Sequence, residues 1–183
     1  MAAYQVGMVV GSLRQDSFNL KLAKALAKLF PSEIEISFVD ISQLPLYNQD
    51  LDNQPTETVS TFKQAVAALQ GVVFVTPEHN RSISAALKNA LDHGSRPYGK
   101  SVWAGKVAGV IGTSPGAIAT AVAQQHLRNI VAALDMPTVN QPEAFVQWTD
   151  DLMDAEGVFN KRSAAFLQQW VHAYVALLKQ QVA

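Results

Sequence analysis

The segment Gly11-Ser12-Leu13-Arg14-Gln15-Asp16-Ser17-Phe18-Asn19 gathers two hydroxyls, a guanidinium and a carboxamide within nine residues. These groups suit phosphate. Ser12 and Ser17 can donate to phosphate oxygens, Arg14 can make a bidentate charge-assisted contact, and Asn19 can donate an amide hydrogen. The segment follows an apolar run and precedes a helical pattern. Free N–H groups and the partial positive charge of a helix start therefore belong at the same place. Taken alone, the loop is also explained by a plain cap at Asp16 or Ser17 with Arg14 in solvent. It has a single glycine, and the chain contains neither G-x-G-x-x-G after its first strand nor G-x-x-x-x-G-K-[ST] anywhere. Those loops need bare backbone because it passes close to a di- or triphosphate. A loop of side chains plus a helix end points to one terminal phosphate, and hence to a mononucleotide.

Another polar loop is Thr76-Pro77-Glu78-His79-Asn80-Arg81-Ser82-Ile83. Its backbone and side chains could hydrogen-bond the edge of a planar, amide-bearing ring. The plain alternative is that Ser82 caps the following helix and the rest is solvated. A third is Gly112-Thr113-Ser114-Pro115-Gly116-Ala117. Gly116 permits close backbone approach or positive φ, and Ser114 and Gly116 are expected to border the pocket.

The elements behind these loops alternate. Apolar strand candidates are Tyr4–Val10, Ile34–Phe38, Gly71–Thr76, Val107–Gly112 and Pro137–Val139. Between them run helical patterns: Phe18–Phe30, the face Val59, Phe62, Val66 and Leu69, the face Ile83, Leu87, Ala90 and Leu91, and a long helix from Ile118 to Leu134. A last helix carries Phe166, Trp170, Tyr174 and Leu177. Five β-α steps imply an α/β fold with a parallel sheet, right-handed crossovers and the doubly wound order 2-1-3-4-5. In such sheets ligands sit beyond the carboxyl ends of strands, where all three loops lie.

Composition fits one domain over residues 1–183. Hydrophobic residues make up 49% and charged residues 16%, enough for a core. The net charge of −1 offers no basic excess for nucleic acid. With no cysteine, disulfides and thiolate chemistry are excluded. His93, His126 and His172 lack metal-ligand spacing, so no metal is expected. Met1-Ala2-Ala3-Tyr4-Gln5 does not read as a signal peptide, and no apolar run approaches the roughly 20 residues that span a bilayer. A soluble, cytoplasmic protein is expected.

Together the loops at Gly11–Asn19 and Thr76–Ile83 resemble the NADPH-dependent FMN reductase family, within the flavodoxin-like fold, and most of all its chromate-, quinone- and azo-reducing members. The Gly11–Asn19 loop is similar to the family's G-S-x-R-x-x-S-x-N phosphate motif, matched by Gly11, Ser12, Arg14, Ser17 and Asn19. The Thr76–Ile83 loop is similar to its P-E-Y-N-x-S flavin-ring motif, matched by Pro77, Glu78, Asn80 and Ser82. Leu44–Asp50, Leu87–Asp92, Ser95-Arg96-Pro97 and Gln141-Pro142-Glu143 also resemble family segments, so the likeness runs from Tyr4 to about Phe145. His79 departs from it, standing at the usual tyrosine. That change implies altered acceptor preference or a pH-dependent charge, or else a plain hydrogen-bonding replacement. Ser84-Ala85 stands where proline-glycine often follows.

The resemblance implies a three-layer sandwich with a five-stranded sheet that binds FMN. It implies hydride transfer from NADPH or NADH to FMN, then to a quinone, chromate, azo compound or free flavin, in ping-pong order. The flavin carries the chemistry, so no catalytic side chain is expected. FMN would be held by Ser12, Arg14, Ser17, Phe18, Asn19, Pro77, Glu78, His79, Asn80, Ser82, Ile83, Ser114 and Gly116. The resemblance also implies a homodimer or homotetramer, with Glu143 of the family-like Gln141-Pro142-Glu143 segment paired with a basic residue across a subunit boundary; Trp103 and Trp148, from their loop-like stretches, are candidates for an interface. An alternative reading is a flavodoxin-like electron carrier without its own NAD(P)H turnover, although carriers of that type usually have a strongly acidic face.

Overall fold

A computed structural model describes residues 4–182. Residues 1–3, within the segment read for a targeting signal, lie outside it, as does residue 183. The elements are β1 (Tyr4–Val10), α1 (Phe18–Ala27), β2 (Ile34–Phe38), α2 (Glu57–Ala67), β3 (Gly71–Val75), α3 (Ala85–Ser95), β4 (Val107–Ser114), α4 (Ala121–Ala133), β5 (Ala144–Gln147) and α5 (Lys161–Val182). The sheet has order β2-β1-β3-β4-β5, and each neighbouring pair is parallel. This is the flavodoxin-like arrangement expected from the alternation of elements.

Strand periodicity divides the core. Val73 and Val75 point to one face, where Leu22 and Leu26 of α1 meet Trp170, Tyr174 and Leu178 of α5. Val72 and Phe74 point to the other, against Phe62 of α2, Leu87 and Leu91 of α3 and Leu127 of α4. A parallel sheet covered on both faces is apolar along its whole length, and β3 is buried at all five positions. Each fully buried aliphatic side chain contributes about 1.5–3 kcal/mol. Trp103 belongs to the core on the α2–α3–α4 face, not to an interface. It is fully buried beside Phe62 and Phe74, and its indole Nε1 donates to Leu91 O at 3.0 Å.

Three boundaries differ from the sequence expectation by three residues or more. The fifth strand is Ala144–Gln147, not Pro137–Val139. Thr138 makes a single bridge to Ala108 near the start of β4, whereas Ala144–Gln147 pairs with the far end of β4, Ile111–Ser114. Helix α1 stops at Ala27 because the amides of Lys28, Leu29 and Phe30 turn to carbonyls three residues back. That tighter winding leads into Pro31. Helix α4 begins at Ala121, leaving Ile118 exposed in the loop before it.

Candidate active site at the carboxyl ends of three strands

The loops after β1, β3 and β4 enclose a cleft of about 620 Å³, within the range of small-ligand sites. Of the expected residues, Ser12, Arg14, Ser17, Phe18, Asn19, Pro77, Glu78, His79 and Ser114 line it. Gly11, Leu13, Ser84, Ala85, Ala86, Thr113 and Pro115 complete the wall.

The loop after β1 delivers donors. Ser17 is the N-cap of α1, its hydroxyl accepting from Leu20 N at 3.1 Å while keeping its own hydrogen. The amides of Ser12 through Asp16, and those of Phe18 and Asn19 in the first turn of α1, have no acceptor among the described residues. Arg14 stays outside the fold proper. Its side chain is 62% exposed, its guanidinium lies 5.3 Å from the Phe18 ring centroid, and Phe18 stacks on Trp148 at 4.4 Å. Asp16 holds Lys21 more closely than Arg14. Lys21 reaches Asp16 at 2.5 Å, against 3.9 Å for Arg14, and this hydrogen-bonded ammonium holds the carboxyl below its ordinary range. Free amides at a helix start, two hydroxyls and an exposed guanidinium form a donor set that fits one phosphate group.

Asn19 lines the cleft, but its carboxamide faces inward. Nδ2 donates to Thr113 O at 2.9 Å and Oδ1 accepts from Thr113 N at 3.0 Å. It fastens the loop after β1 to the end of β4.

The loop after β3 is a tight hairpin. His79 N donates to Ser82 O at 2.9 Å, and Ser82 N donates back to His79 O at 3.0 Å. The two residues between, Asn80 and Arg81, have φ of 51° and 66°. Positive φ at both is the mark of a type I′ turn, whose latter central position favours glycine. An arginine there carries a strain of about 1–2 kcal/mol. The amides of Glu78 and Asn80 have no acceptor among the described residues.

Glu78 has a role that local sequence does not reveal. Its Oε2 accepts from Val122 N at 3.1 Å and Ala123 N at 3.0 Å. The α4 N-cap residue, Thr120, makes no side-chain cap bond. Glu78 therefore caps α4 from across the cleft, placing a carboxylate on the positive end of the helix. The side chain is only 9% exposed and is oriented by this pairing.

Four expected residues do not line the cleft. Asn80 is exposed at the hairpin tip, and Ile83 is buried in the core beneath it. Ser82 turns its Oγ to Nδ1 of His126 at 3.0 Å. Gly116 is exposed, and positive φ falls on Ala119 (50°) instead. The glycine that close approach does require is Gly112, where a Cβ would collide with the Thr76 carbonyl oxygen.

Helix α3 is capped by Ser84, not Ser82. Ser84 Oγ accepts from Leu87 N at 3.2 Å and donates to Gly11 O at 2.5 Å. It thus ties the loop after β1 to the one after β3. The sign of this residue was its position at the Ser84-Ala85 departure. Pro77, Ala85, Ala86 and Pro115 give the cleft an apolar wall of small side chains, against which a planar ring can lie.

The remaining expectations lie elsewhere. Glu143 has a basic partner in its own chain, Arg128, whose Nε is 3.7 Å away. Burial lowers the Arg128 pKa, and the charge of Glu143 opposes this. No cluster of three metal-ligating side chains occurs among the described residues, and none of their helices is long and apolar enough to cross a membrane.

Comparison with known proteins identifies a family. The profile of the family described as NADPH-dependent FMN reductase matches residues 4–150. A 2-hydroxy-1,4-benzoquinone reductase of Burkholderia is 48% identical over 178 residues, covering 97% of each chain. A quinone reductase of Pseudomonas putida is 44% identical, covering 96% of this chain and 95% of its own. Among solved structures, the flavoenzyme NAD(P)H:acceptor oxidoreductase FerB of Paracoccus denitrificans superposes with a TM-score of 0.93 at 40% identity, over 97% of this chain and 98% of its own.

Proposed function

Because this chain belongs to the NADPH-dependent FMN reductase family, we propose that quinones are its acceptors and that the three-loop cleft is where they are reduced. The protein is an FMN-dependent NAD(P)H oxidoreductase. When bound, FMN supplies a centre that takes hydride from a reduced nicotinamide and passes electrons to the acceptor. The chain supplies position and charge. Arg14, the hydroxyls of Ser12 and Ser17 and the free amides at the start of α1 hold the phosphate. Pro77, Ala85, Ala86 and Pro115 would support the ring, and His79 lines the same cleft. The free amide of Glu78, in the cleft lining, would offset negative charge at the edge of the ring.

The observation that carries this reading is the meeting of free α1 amides and the exposed Arg14 guanidinium with a flat apolar wall in one cleft. Quinone specificity is supported by the names of two relatives above 40% identity. We include in the proposal a cytoplasmic, single-domain protein that assembles as a homodimer or homotetramer. Tyr98, at 92% exposure, and Leu46, at 86%, are large side chains that an assembly would cover.

The test is the visible spectrum of the purified protein, followed by anaerobic NADH or NADPH. Flavin bands that bleach with either nucleotide and return with a quinone are expected. Bound FMN that stays oxidised under excess of both would favour the electron-carrier alternative. Chromate, azo dyes and free flavin, assayed beside quinones, rank the acceptors.

A further inference from the structure

We infer that Arg81 selects for an anionic group on the molecule that enters the cleft; this rests on the quinone-reductase reading above. Four observations converge on this side chain. It occupies the latter central position of the hairpin with φ of 66°, where glycine would be unstrained. It is 70% exposed, so packing does not account for it. Its Nη1 lies 3.8 Å from Oε1 of Glu78, which places the guanidinium against a side chain that lines the cleft. Glu78 is held there by Val122 N and Ala123 N, and at 3.8 Å it makes no hydrogen bond with Arg81, whose donors stay free.

The charges around the hairpin are few, and most are already engaged. Arg14 and Glu78 are the formal charges lining the cleft. Arg14 is assigned to the cofactor's phosphate, and the carboxylate of Glu78 is turned to a helix end. His79 lines the mouth, and His126 meets the hairpin through Ser82. Asp16, the nearby acidic group, is paired with Lys21 away from the lining. An anion approaching the ring side therefore meets a guanidinium whose long ion pair with Glu78, at 3.8 Å, leaves its hydrogen-bond donors unused.

Two sources supply such an anion. A hydroxyquinone is a vinylogous acid that is ionised at neutral pH, and a nicotinamide nucleotide carries phosphates. Guanidinium donors match either one.

The experiment compares the FMN-loaded wild type with Arg81→Gly, Arg81→Lys and Arg81→Glu. Arg81→Gly removes the charge and relieves the positive φ, so the hairpin keeps its shape. One arm holds NADH fixed and varies 2-hydroxy-1,4-benzoquinone or 1,4-benzoquinone. The other holds 1,4-benzoquinone fixed and varies NADPH or NADH. A KM rise of about tenfold in Arg81→Gly for the hydroxyquinone, and none for the neutral quinone, identifies the acceptor as source. A comparable rise confined to the nucleotides identifies the co-substrate. In either case the effect shrinks with salt, Arg81→Lys partly restores it, and Arg81→Glu exceeds it. Unchanged KM values in both arms, with neutral-quinone turnover intact, overturn the inference while the function stands. A wild type that bleaches with NADPH but reduces neither quinone overturns both.

Discussion

The side chain of Asn19 is joined to the backbone of Thr113 by two hydrogen bonds, one given and one received, at 2.9 and 3.0 Å. A carboxamide presents the same donor and acceptor pair as a peptide group. Asn19 thus extends the pairing of β4 by one unit and anchors the start of α1 at the floor of the cleft. The pairing is buried, so removing it strands both Thr113 groups away from water. Asn19→Ala is expected to destabilise the apo protein by about 2–3 kcal/mol, read as a lower urea midpoint at constant slope. An unchanged midpoint would remove the anchoring role.

Arg14 makes the opposite prediction, because the fold does not use it. Its side chain contacts Phe18 and approaches Asp16 only at 3.9 Å. Arg14→Ala should leave apo stability alone and weaken FMN binding by about 1.5–3 kcal/mol, the scale of a lost charge-assisted hydrogen bond. Fluorescence titration of the apo protein with FMN and with riboflavin separates the phosphate contribution. Equal losses for the two ligands would place Arg14 elsewhere.

Glu78 couples the hairpin to α4. Glu78→Ala leaves two α4 amides without their cap and should cost about 1–2 kcal/mol, whereas Glu78→Gln keeps an acceptor and should cost less than half as much. The order of the three urea midpoints is the measurement. A glutamine variant as unstable as the alanine one would show that charge alone, and not the cap bond, holds α4.

Tyr174 sets an alkaline limit. Full burial pushes its phenol well above the ordinary tyrosine value, and its hydroxyl has a long 3.4 Å bond to Val107 O. Above pH about 10 the unfolded chain loses this proton and the native state keeps it. Stability therefore falls as pH rises through that value. Tyr174→Phe should lower stability slightly at neutral pH and flatten the decline above pH about 10, as followed by thermal unfolding. A parallel decline in both proteins would assign alkaline unfolding to other groups.

What the sequence made legible was local. Alternating apolar runs revealed the order of strands, because burial on both faces leaves its mark on each strand separately. The phosphate loop was visible because Ser12, Arg14 and Ser17 lie within six positions. The role of Asn19 was not visible, since its partner is 94 positions away. Glu78 poses the same problem across 44 and 45 positions. The Pro137–Val139 segment misled because its apolar character serves a single bridge at the start of β4, and β5 pairs at the other end. Trp103 looked peripheral from its loop neighbours, yet α2, β3 and α3 close around it in space.

The bond from Ser84 Oγ to Gly11 O, together with Glu78 on α4, has a consequence for how such a site can diversify. Surface loops ordinarily change by gaining or losing residues. Here the chain between Thr76 and Ser84 is tethered at Glu78, at the His79–Ser82 bridge and at Ser84. One added residue would shift at least one tether out of register. The length of this loop is therefore fixed, and new acceptor preferences must arise by exchanging side chains that point outward. Positions 79, 80 and 81 are those that the tethers leave free to vary.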